Sequence, residues 1–81
     1  MSYSAHMRDV RDDRLPLRHR ISHLRSCSNH MAQKFHVHRS IILEKIQIAC
    51  PYSDEDLPTI EAVLRAADLL DKMKHHGLHS V

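Results

Sequence analysis

The chain reads as an all-α protein: three helices after a flexible N-terminal arm, paired as a homodimeric helical bundle. Three observations carry that reading. Apolar residues recur at three- and four-residue spacing across 15–34 and, most regularly, across 57–76. The single glycine, Gly77, stands just past the second of those stretches, where a helix closes. The β-branched runs Ile41-Ile42-Leu43 and Ile46-Gln47-Ile48 compete as strand, but the polar step Glu44-Lys45 between them fits a helix better than strict alternation.

Residues 1–14 alternate arginine and aspartate with few apolar side chains, so they are expected to form a flexible arm. The first helix is expected over about 15–34. Pro16 is tolerated in its first turn, and Leu17, Ile21, Leu24, Met31 and Phe35 form its apolar row. Ser26-Cys27-Ser28-Asn29 are poor helix formers, and fraying or a break is expected there. After the short connection Phe35-His36-Val37-His38, Ser40 is the candidate cap of a second helix over about 41–50, which Pro51 ends. Its inward set is Ile42, Leu43, Ile46 and Ala49.

The third helix, 57–76, has Ser53-Asp54-Glu55-Asp56 before it as a source of capping oxygens. Asp56 is the preferred cap because Pro58 sits best in a first turn. Ile60, Val63, Leu64, Ala67, Leu70 and Met73 form its core stripe, and Glu61, Arg65, Asp68 and Lys72 line the opposite face with alternating charge. One domain thus spans 15–77, followed by a tail, 78–81.

Eighty-one residues bury little surface, and such chains usually need staples or a second subunit. Only two cysteines are present, Cys27 and Cys50, with no apolar leader before them. A reduced, cytoplasmic protein is expected, and therefore dimerisation rather than disulfides. The seam is assigned to Ile60, Leu64, Ala67 and Leu70 with help from Ile42 and Ile46. No stretch approaches the roughly 18 apolar residues of a membrane span, so no membrane partner is expected.

Net charge is +2, but the halves differ: residues 1–40 carry eight Lys/Arg against three Asp, while 41–81 carry four against seven acids. Arg11, Arg14, Arg18 and Arg25 fall within about 60° of arc on a continuous helix, beside the apolar row. They are the candidate contact for a protein partner or for the phosphates of duplex DNA, with Arg20 and Arg39 nearby. Aromatic residues are too few for stacking on single strands.

Six of the nine histidines lie in the basic half. His19, His23, Cys27 and His30 share a helical face and are the candidate metal set, although one straight helix cannot wrap four ligands around an ion. His75, His76 and His79 read as a polar tail cluster. No nucleophile-elbow serine, glycine-rich loop or other cofactor-binding motif is present, so neither an enzyme nor a cofactor is expected.

The run IILEKIQIACPYSDEDLPTIEAVL, from Ile41 to Leu64, resembles the small enterobacterial two-component-system connector proteins of the AriR/YmgB type, linked with biofilm and acid-resistance regulation. The similar parts are Ile41-Ile42-Leu43, Ile46, Ser53-Asp54 and the periodic helix through Ile60 and Leu64. The resemblance implies a short helical dimer that acts by contacting a response regulator. The basic, histidine-rich first half departs from that family, and no catalytic or ligand residues transfer. The expected function is thus a small non-catalytic regulatory adaptor that binds a protein partner, such as a regulator, in bacterial transcriptional or signalling control. The alternatives are a duplex-DNA-binding dimer using the arginine face and a zinc- or pH-responsive helical dimer.

Overall fold

The computed structural model describes residues 2–47 and 58–81. Their regular structure is entirely helical: α1 (Tyr3–Val10), α2 (Leu17–Phe35), α3 (Arg39–Gln47), α4 (Ile60–His76) and a 3-10 turn, Leu78–Ser80. The helix α2 is the hub, since α1, α3 and α4 all pack on it.

The first correction concerns residues 1–14. Their described part is a docked helix and a turn rather than a flexible arm. Tyr3, Met7 and Val10 recur at i, i+4 and i+7 and are all buried, Val10 completely. The Ser2 hydroxyl accepts the Ala5 N–H at 3.2 Å and caps the helix. High local charge masked a short amphipathic stripe.

The helix α2 runs from Leu17 to Phe35 without the expected break. The hydroxyls that would compete with the helix are turned back onto it: Ser26 donates to the Ser22 carbonyl at 3.3 Å and Ser28 to the Leu24 carbonyl at 3.0 Å. Cys27 and Ser28 are fully buried, so packing holds the weak segment in place. Its end is a Schellman closure. His36 adopts φ 54°, its N–H donates to the Gln33 carbonyl, and the Val37 N–H reaches back to Ala32.

The helix α3 begins at Arg39, earlier than expected. Its end is tied by His38, whose Nδ1 accepts the Ser40 N–H at 3.2 Å, rather than by Ser40 acting as the cap. The cap of α4 is Thr59, whose Oγ1 accepts the Ala62 N–H at 3.2 Å. The helix therefore starts at Ile60, and Pro58 precedes the cap instead of occupying the first turn. Gly77, with φ 100°, closes α4 as expected. The expectations on Ala49, Cys50, Pro51 and Ser53 through Asp56 lie outside the described residues.

The core joins Leu24, Cys27 and Met31 of α2 to Ile42 and Ile46 of α3 and to Val63, Ala66, Ala67, Leu70 and Met73 of α4. This corrects the subunit seam. Ile42, Ile46, Ala67 and Leu70 have no accessible surface within a single chain and leave nothing for a partner to cover. Of the six, only Ile60, exposed, and Leu64, half-buried, reach solvent.

Candidate functional site

The arginine row does not survive as one face. Arg11 caps the C-terminus of α1, and its Nη2 reaches both Asp68 and Asp71 of α4 at 2.9 Å. Arg14 lies in the α1–α2 turn and grips Asp12 through Nε and Nη2, each at 3.0 Å, while its N–H also donates to that carboxylate. This contact holds the Asp12 carboxyl down at about 2. One continuous helix does not form, because Pro16 is the N-cap of α2 and leaves Arg14 in the connecting turn and Arg11 at the end of α1.

Arg20 is buried. Its Nε donates to the Val10 carbonyl at 2.8 Å, satisfying an acceptor at the C-terminal end of α1. Arg18 and Arg25 remain exposed on α2, and Arg39 is exposed at the start of α3.

What the fold does present is the outer face of α2. Arg18, Ser22, Arg25, Asn29 and Gln33 are all exposed. At 100° per residue they fall within about 80° of arc and extend about 22 Å along the helix. The 19 residues of α2 include no Asp or Glu. The acids at the α1–α4 seam, Asp68 and Asp71, are engaged with Arg11.

The candidate metal set is also divided. His19 is exposed, whereas Cys27 is sealed beneath α1, with its Sγ 3.9 Å from the Tyr3 carbonyl. Burial, aided by the charge of Asp71, pushes the Cys27 thiol up to about 12, so it is protonated and a poor ligand near neutral pH. His23 and His30 instead gather around His6 of α1, a residue the arm reading passed over. The Nδ1 atoms of His6 and His23 lie 2.9 Å apart, and the His6 and His30 ring centroids 5.7 Å apart. Asp9 completes the group, with its Oδ2 3.5 Å from His23 Nε2. No group of three or more His, Cys, Asp or Glu among the described residues could hold a metal ion. The spacing of Tyr3, Met7 and Val10 was the available signal: it predicts a helix whose other positions include His6 and Asp9.

On its other side α1 meets α4. The Tyr3 hydroxyl donates to Asp71 Oδ1 at 2.8 Å, and the Lys74 ammonium sits 4.8 Å from the Tyr3 ring centroid. Burial first, then the bond to Asp71, pushes the Tyr3 phenol well above its usual range. His75, His76 and His79 are exposed at the far end of α4 and in the turn after it.

No family model, curated protein or solved structure matched the chain. Among the described residues, no helix is long and apolar enough to cross a membrane.

Proposed function

We propose that this chain is a small non-catalytic adaptor in bacterial transcriptional or signalling control, docking an acidic protein surface on the outer face of α2. The observation that supports the reading is a 19-residue helix without a single carboxylate, displaying Arg18 and Arg25 toward solvent. Such a face attracts and orients an anionic partner. Duplex DNA is the second reading, favoured by Ser22, Asn29 and Gln33 on the same face, which suit contacts to phosphates and groove edges.

Two labelled probes separate these readings: a glutamate-rich peptide and a random DNA duplex, each followed by fluorescence anisotropy across a salt series. Peptide binding that disappears in the Arg18→Glu/Arg25→Glu variant supports the adaptor. Duplex binding with a log–log salt slope of about −1.8, as expected for two neutralised phosphates, supports DNA. Failure of both probes at low salt removes the α2 face from consideration.

Self-association belongs to the same proposal. Ile41 and Ile60 are the exposed large apolar side chains among the described residues and are the contacts a second copy would use. Sedimentation equilibrium tests this: a monomer throughout the micromolar range would remove it.

A further inference from the structure

We propose that the contact between His6 and His23 is a proton-sensitive latch, fastening α1 to α2 near neutral pH and loosening it in mild acid. The geometry sets the proton count. Two imidazole Nδ1 atoms 2.9 Å apart form a good hydrogen bond only when one carries a proton and the other offers its lone pair. If both rings are protonated, two N–H donors point at one another across that gap, and two positive charges meet. Asp9, 3.5 Å from the far nitrogen of His23, offsets one of those charges and not a second. The site therefore tolerates one imidazolium and rejects two.

The surroundings point the same way. Burial lowers the proton affinity of His6; His23 and His30 add to this, and Asp9 opposes it. The other element packed on α1 is α4, whose charged groups Asp68, Asp71 and Lys74 meet α1 at Arg11 and Tyr3 rather than at His6. Because the docked form binds its proton less readily than the open form, docking is at full strength above about pH 6.5. It weakens as the pH falls below that value. The contacts of α1 to α4 run through Arg11, Tyr3 and Lys74 and include no histidine, so only the α2 side of α1 is expected to respond.

Release has a built-in reporter. Cys27 is fully buried in the folded chain, and its thiol lies against the Tyr3 carbonyl of α1. Opening α1 uncovers it. The experiment measures Cys27 modification by dithiodipyridine at pH 7.5 and 5.0, with EDTA present and Cys50 replaced by serine. Each rate is normalised to the same chain in denaturant, and helix content is followed by circular dichroism. The expected result is a loss of Cys27 protection at pH 5.0 with most helix signal retained, and loss of that pH dependence in His6→Gln. If His6→Gln does not fold, His23→Gln tests the same pair.

Equal protection at both pH values would overturn the latch. So would an unchanged pH response in the folded glutamine variant, or collapse of the whole helix signal at pH 5.0. The outcome is independent of what binds the outer face of α2.

Discussion

The first and last helices of this fold are held by different physics. Five side chains of α4, Val63, Ala66, Ala67, Leu70 and Met73, are fully buried, and that apolar face meets the rest of the core. The helix α1 contributes only Tyr3, Met7 and Val10 to the same core. The rest of its attachment is polar: Arg11 to Asp68 and Asp71, Tyr3 to Asp71, the Val10 carbonyl to Arg20, and His6 to His23. Apolar burial is insensitive to protons and to modest salt, whereas ion pairs and histidine contacts respond to both. The fold thus has a permanent element and a conditional one.

Four substitutions probe this difference, beginning with the largest effect. Leu70→Ala should cost about 2–5 kcal/mol, a large share of a small domain's stability, and should lower the urea midpoint for every helix together. A variant that lost only α1 would contradict the central role given to α4. Arg20→Met keeps the volume but removes the donor to Val10, and should cost about 1–3 kcal/mol. Hydrogen exchange should then quicken in α1 more than in α4; uniform quickening would mean that α1 is not a separable element.

Tyr3→Phe removes one bond to Asp71 while Arg11 still holds that carboxylate, so a loss of about 0.5–1.5 kcal/mol is expected, again greatest in α1. His36→Gly lies away from both helices and serves as the control. It should raise the thermal midpoint by relieving a left-handed residue, a gain of up to about 1 kcal/mol that leaves the contrast between α1 and α4 unchanged. A lowered midpoint would show that the His36 side chain contributes contacts outweighing its backbone cost.

The same contrast explains which parts of the chain were readable. The helix α4 announces itself because Ile60 through Met73 carry a long apolar period closed by Gly77. The hub α2 was readable in extent but not in continuity. Its Ser26–Asn29 segment is weak by propensity, and only the buried setting of Cys27 and Ser28 compensates. The arm reading failed at α1 because three apolar residues among many charges carry little weight in composition. Ile42, Ile46, Ala67 and Leu70 are not available to a dimer seam for a related reason: periodicity identifies a face that must be covered without identifying the cover. Here α2 and α3 help to close the core within one chain.

By itself, the sequence determined the helical class, the basic first half and acidic second half, and the stretches that seek burial. These follow from residue type and spacing, which act locally. Tertiary structure alone decided which charges were left to face outward. It paired Arg11 with Asp68 and Asp71, buried Arg20 and kept Arg18 and Arg25 exposed. It also sealed Cys27 beneath α1 and set His6 beside His23 and His30. Those outcomes depend on where α1 comes to rest, and contacts between distant residues set that position, as in Arg11 with Asp68, 57 residues apart.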